Sequence, residues 1–205
     1  MMFRVLLFGL LIITSLSACQ KGIDLNIAPA SSKIIDSITS AKKEYILYTI
    51  AAGEQFCDIN FHQPIKYNEV KFKVRFDSSC IYQTLDPKNQ LDINKLYGFS
   101  DNNTHHHEFS ARFGWRWSND SLRVFAYTYN NSIRNSKELG TIAIGAEHAC
   151  SIKVTKDSYL FTLNGKSQAM PRKSSTAEAE GYKLYPYFGG DELAPHKITI
   201  YIEDL

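Results

Sequence analysis

Val70-Lys71-Phe72-Lys73-Val74-Arg75-Phe76-Asp77 puts Val70, Phe72, Val74 and Phe76 on one side of an extended chain and Lys71, Lys73, Arg75 and Asp77 on the other. A helix would spread these residues around its circumference. A strand, with its period of two, sorts them into one buried and one solvated face. Beyond Tyr45, further short runs of aromatic and β-branched residues occupy 109–117, 122–129, 141–144, 148–155, 159–163, 183–188 and 197–202, broken by Asn, Asp, Gly and Ser. No segment keeps a helical period. Asn119-Asp120 and Asn164-Gly165 stand between paired runs, where a tight hairpin requires positive φ and such residues tolerate it. The sequence predicts an all-β protein of antiparallel strands, a sandwich or a barrel.

Two of these runs carry an unusual outer face. In 109–117 the odd positions Phe109, Ala111, Phe113, Trp115 and Trp117 are apolar, which sends Arg112 and Arg116 to the opposite side. Two arginines on one strand face are costly to bury unpaired, so they must meet solvent, a groove or acidic partners. In 122–129 the core positions are Leu122, Val124 and Ala126. Arg123, Phe125, Tyr127 and Tyr129 then point the other way, and an arginine with three aromatics is too adhesive for an ordinary solvated surface. Arg112, Arg116, Arg123, Tyr127 and Tyr129 are therefore candidate ligand-binding residues.

A second group is Asp101-Asn102-Asn103-Thr104-His105-His106-His107-Glu108, which runs directly into the arginine strand. Imidazole titrates near neutral pH and suits acid and base chemistry, so His106 and His107 are candidate catalytic groups. On an extended segment adjacent side chains point to opposite sides. Only His105 and His107 are then expected to converge, and no metal site is assigned. A third group, Tyr185-Pro186-Tyr187-Phe188-Gly189-Gly190, places Tyr185 and Tyr187 on one face, where rings suit sugar C–H surfaces or proton transfer. Pro186 cannot donate to a ladder, so this strand is expected to be interrupted or at an edge.

The first residues set the expected location. Arg4, the apolar run 5–13 and the small residues after it read as an export signal, too short for a membrane span of about 20 apolar residues. Leu16-Ser17-Ala18-Cys19 resembles a bacterial lipobox. That resemblance implies cleavage after residue 18, lipidation of Cys19 and anchoring in the cell envelope. The expected organisation is a signal peptide at 1–18, an anchor and linker at 19–44, and a β-sandwich domain at 45–205. Without residues 1–18 the chain has 22 Lys and Arg against 21 Asp and Glu, a balance that argues against duplex nucleic acid as a partner. Cys57, Cys80 and Cys150 match no zinc or redox spacing and are expected as buried thiols or one bridge.

The strand series, the basic and aromatic faces and the Tyr185 to Gly190 segment together resemble the concanavalin A-like lectin/glucanase superfamily, over roughly 45–205. The chain is also similar to exported domains of that shape from gut and oral Bacteroidetes. The resemblance implies a two-sheet antiparallel jelly-roll sandwich whose concave sheet holds saccharides. The Glu-x-Asp-x-x-Glu strand of the laminarinase-like hydrolases does not occur, nor do the Arg-Thr-Glu-Leu-Arg and Gln-Ile-His strands of the alginate lyase-like families. Three readings stay open. They are a carbohydrate-binding envelope lipoprotein, a polysaccharide lyase using His106 or His107, Arg112 and Tyr187 on uronic-acid polymers, and a structural or partner-binding envelope protein. The expected partners are carbohydrate and, through the lipid, the membrane. The protein is expected to be a monomer without a cofactor.

Overall fold

A computed structural model describes residues 44–205. The signal segment 1–18, Cys19 and the linker up to residue 43 lie outside the described residues. The strands are β1 (Ile46–Ile50), β2 (Pro64–Tyr67), β3 (Glu69–Phe76), β4 (Asn94–Ser100), β5 (Phe109–Ser118), β6 (Ser121–Asn130), β7 (Ile133–Ile142), β8 (Glu147–Val154), β9 (Ser158–Leu163), β10 (Lys166–Pro171), β11 (Ala179–Leu184) and β12 (Ile198–Asp204). They form two six-stranded antiparallel sheets, ordered β1-β12-β3-β8-β9-β10 and β2-β11-β4-β5-β6-β7. Among the described residues no helix is long and apolar enough to cross a membrane.

The alternation that announced β3 decides its packing. Val70, Phe72, Val74 and Phe76 are all buried, and β5 answers from the other sheet with Ala111, Phe113 and Trp115. Phe72 meets Phe113 edge-on at 5.5 Å, Phe113 meets Phe161 of β9 at 5.2 Å, and Phe76 meets Trp115 at 5.6 Å. Such aromatic pairs contribute about 0.5–1.5 kcal/mol each beyond the area they bury. The hairpins turn where expected, with Asn119 and Asp120 at φ 50° and 51° and Asn164 and Gly165 at 49° and 83°. Cys57, Cys80 and Cys150 are buried free thiols, so the bridge alternative fails and the thiol alternative holds. Burial pushes the Cys57 thiol up to about 12, which leaves it inert at neutral pH.

Three strand expectations are corrected. The run at 141–144 only overlaps the end of β7, which spans Ile133–Ile142 at the edge of its sheet; the first half of β7 is exposed on both faces, so no buried face imposes an alternation there. The run at 183–188 is shifted, because β11 spans Ala179–Leu184 and stops just before the segment containing Pro186. Sequence reading also passed over the short strands β1, β2 and β10 and, in the middle of its sheet, β4. Its register against β5 shifts between Lys95 and Gly98, a β-bulge that lets consecutive Leu96 and Tyr97 both enter the core and breaks the period-two pattern.

Candidate functional site

The same bulge builds the floor of a cleft. At Gly98 a Cβ would lie 2.2 Å from the Ala111 carbonyl oxygen and 2.5 Å from Arg112 Cα, so only glycine lets β4 and β5 approach this closely. With Leu96 and Tyr97 turned inward, Lys95 is left on the outer face beside Arg112 of β5. Tyr127 sits directly across from Arg112 in the β5/β6 register, and Arg134 of β7 lies opposite Tyr129. The turn holding His105, His106 and His107, Tyr182, the 184–187 segment, Phe56 and Phe61 complete the lining. The cleft has a volume of about 630 Å³ and is open to solvent.

Arg112 is the electrostatic centre. Its side chain is 6% exposed, and among the described residues it has no ion-pair partner and no acceptor for its Nε–H. Its guanidinium lies 5.7 Å from the Tyr127 ring centroid. Burial pushes its pKa down to about 10, although the surrounding tyrosines oppose the shift. Burial, and then repulsion from Arg112, brings the Lys95 ammonium down to about 8. Asp191 is the one carboxylate among the described lining residues, against Lys95, Arg112, Arg134 and Lys183, and Lys183 is bound to Asp204 at 2.8 Å. The cleft is a cationic, aromatic pocket built to receive negative charge.

The histidine segment departs from the expected extended path. The Glu108 and Phe109 N–H groups both donate to the His105 carbonyl, at 2.8 Å and 3.3 Å, and close a turn. The three imidazoles therefore converge, with one ligand atom from each within 4.8 Å of the others; the expectation that only His105 and His107 could meet is corrected. Tyr182 Oη lies 2.8 Å from His106 Nδ1 and accepts the His106 backbone N–H at 3.1 Å. Burial, then Arg112 and the two neighbouring histidines, pushes His106 down to about 3, so its ring is uncharged at neutral pH. Burial, then His105, Arg112 and Lys95, also lowers His107, whose ring packs on Tyr129 at 5.2 Å.

Among the predicted binding residues, Arg112, Tyr127, Tyr129, Tyr185 and Tyr187 line the cleft together with His106 and His107. Tyr185 presents its edge only, since its ring packs against Tyr48 and Phe61 and its hydroxyl donates to Gln63 Oε1 at 3.1 Å. Tyr187 donates its hydroxyl to Gln55 Oε1, and its backbone exchanges two hydrogen bonds with Lys95. Arg116 and Arg123 lie further along the same face and outside the cleft. Arg116 stacks 4.8 Å from the Phe125 centroid and donates to the Leu91 carbonyl, while Arg123 pairs with Glu138 at 2.8 Å. Arg123 is spent on its partner from β7, whereas Arg116 finds as acceptor only a carbonyl of the loop after β3 and leaves its Nε–H without one among the described residues. Lys95, Arg134, Tyr182, His105, Phe56 and Phe61 line the cleft without having been singled out as binding residues. Lys95 and Arg134 sit on the strands whose patterns are broken or one-sided, and Tyr182 lies just before the run that was read as a strand.

No family model matches the chain, and no curated protein matches it in sequence. Solved structures do match it. The alginate lyase AlyC3 is 10% identical with a TM-score of 0.50, over 77% of this chain and 72% of the lyase. The catalytic domain of an endo-1,3-β-glucanase (laminarinase) from Thermotoga petrophila is 12% identical with a TM-score of 0.50, over 78% of this chain and 75% of that one. The shared architecture is a sandwich of two antiparallel sheets, the jelly-roll fold that the sequence resemblance implied. At these identities the likeness is one of fold.

Proposed function

We propose that this protein binds an anionic carbohydrate, a uronic-acid oligo- or polysaccharide, in the cleft on the outer face of the second sheet. The observation that supports this most is Arg112, nearly buried and without a counter-charge among the described residues. An unpaired buried guanidinium is costly to the free protein, and a sugar carboxylate entering the cleft would remove that cost through charge-assisted hydrogen bonds. Lys95 and Arg134 extend the positive field, and the exposed rings of Phe56 and Phe61, 60% and 58% accessible, offer flat apolar surface for sugar C–H faces. Isothermal titration with oligoalginate, oligoglucuronate and a neutral β-glucan tests the reading. Binding to the uronates that Arg112→Ala abolishes is the expected result, and equal affinity for the neutral glucan would refute it. Alginate belongs in the panel because an alginate lyase shares this fold.

A second reading, β-elimination on such a polymer, is favoured by the 2.8 Å contact between His106 and Tyr182 close to Arg112. Arg112 would neutralise the carboxylate and acidify the adjacent ring carbon. Uncharged His106 would then take that carbon's proton as the bond to the leaving glycosidic oxygen breaks, and a cleft tyrosine hydroxyl, Tyr182 or Tyr187, would protonate that oxygen. The products are a new reducing end and an unsaturated uronate. Ultraviolet absorbance rising on addition of alginate, and lost in His106→Ala, supports lyase action; binding without absorbance change supports a non-enzymatic role.

The same proposal includes attachment to the cell envelope through a lipidated Cys19, a reading supported by the lipobox-like stretch Leu16-Ser17-Ala18-Cys19. Palmitate labelling that disappears in Cys19→Ser, together with loss of the protein from the membrane fraction, is the expected outcome.

A further inference from the structure

We propose that His105, His106 and His107 form a binding site for a divalent transition-metal cation of the kind imidazole prefers, with Zn2+ as the probe, at the mouth of the cleft. The proposal stands apart from the carbohydrate reading, since it concerns the metal alone.

The first support is convergence. Three consecutive side chains reach a common point only because the chain turns at His105, and their ligand atoms lie within 4.8 Å of one another. A tetrahedral zinc with metal–nitrogen distances of about 2.0–2.1 Å holds its ligands roughly 3.4 Å apart, which small ring rotations can reach from here. The ring centroids already lie 4.2, 4.3 and 5.1 Å apart.

Preorganisation is the second support. The turn is anchored one residue after another to Asp101, which is fully buried. Its carboxylate accepts from Arg172 Nε at 2.8 Å, from Tyr159 Oη at 2.6 Å and from the Asn102 N–H at 2.6 Å, and its carbonyl accepts from the Thr104 N–H and hydroxyl. Asn102 and Asn103 hold φ of 60° and 54°, and the Asn103 N–H donates to the Glu180 carbonyl at 2.7 Å. Metal binding would not have to order this backbone.

The third support is the outer partner of His106. Metal-ligating histidines characteristically hand their second ring nitrogen to a fixed acceptor. With Nε2 on the metal, His106 Nδ1 would carry the proton and donate it to Tyr182 Oη, which can accept it beside the His106 backbone N–H it already takes. Opposing charge comes from Arg112 on β5 and Lys95 on β4. Three imidazoles would leave a fourth position for water, hydroxide or an anion, and a hydroxide or other anion there would offset that repulsion.

The test is titration of the full chain, without a histidine tag, with Zn2+ and with Co2+. One Zn2+ per chain, visible absorption of low-coordinate nitrogen-ligated Co2+, and about tenfold or greater weakening in His106→Ala and His107→Ala are expected. Tyr182→Phe is expected to weaken binding about 10-fold while leaving all three ligands in place, an effect that a mere surface histidine would not show. Absence of Zn2+ binding at millimolar metal overturns the proposal, as does binding that survives His105→Ala/His107→Ala. If an alanine variant misfolds, the Co2+ spectrum of the unaltered chain decides, because water-coordinated Co2+ alone would sink the site. A bound Zn2+ would also occupy the imidazole that the elimination reading needs free.

Discussion

Two nearly buried arginines, one on β5 and the other just after β10, meet opposite fates. Arg172, 4% exposed, is held by Asp101 and also donates to Thr176 Oγ1, Ser174 Oγ and the Glu178 carbonyl. Arg112, 6% exposed, has no such set among the described residues, and its guanidinium faces a cleft. A protein interior tolerates a guanidinium only when something neutralises it, so the first is finished by the fold and the second is left for a ligand to finish. Further along the face of Arg112, Arg123 is paired with Glu138, while Arg116 donates to the Leu91 carbonyl and stacks on Phe125 but leaves its Nε–H without an acceptor among the described residues. The difference between structural and functional arginines here is supply of partners, not burial.

Each part of that contrast can be broken separately. The largest effect on stability is expected from Asp101→Ala, which strands Arg172 as an uncompensated buried charge; a loss of about 3–5 kcal/mol should be read by denaturant unfolding. The same pair predicts acid sensitivity. Burial alone would raise the Asp101 carboxyl, but hydrogen bonds from Arg172 and Tyr159 hold it below the usual carboxylate range. The stability it contributes is present above the unfolded-state value and is lost as pH falls through the lowered folded value, a trend that should be absent in Asp101→Asn.

Arg112→Met should do the reverse. Uronate affinity is expected to fall by about 2–5 kcal/mol, at least 30-fold, while the unfolding midpoint stays level or rises because an unpaired buried charge has gone. A variant that loses stability and retains affinity would show that Arg112 is structural after all. Lys95 sharpens the picture through pH. Since its ammonium is brought down to about 8, it is charged below that value and neutral above it, and uronate affinity measured calorimetrically should weaken as pH rises from 7 to 9 in the native protein and less so in Lys95→Met. The smallest effect belongs to Arg123→Ala, which removes an exposed pair with Glu138 and should cost no more than about 1 kcal/mol of stability with ligand affinity unaltered.

The architecture was legible wherever a strand buries one face and solvates the other. β3, β8 and β9 announce themselves this way, β5 and β6 show the same alternation of residue types although both of their faces are largely buried, and Asn119-Asp120 and Asn164-Gly165 mark turns. It was illegible at β4, whose bulge abolishes the alternation, at the exposed half of β7, and at the short strands β1, β2 and β10. The outer face carrying Arg112, Tyr127 and Tyr129 could be read from the same periodicity. Which of its arginines would be consumed by Leu91 or Glu138 could not, because those partners arrive from distant chain segments. The histidines show the limit most clearly. Their identity suggested chemistry, but an assumed extended path scattered rings that an α-like turn gathers.

The amino-acid order alone determined that this chain is a two-faced β protein with a basic, aromatic surface, because period two is a local property of neighbouring residues. Only the tertiary structure decided where that surface becomes a cleft. That outcome depends on a glycine-tight approach of β4 to β5, on a turn anchored by Asp101 and on which cations find partners across the fold, and these are contacts between residues far apart in sequence.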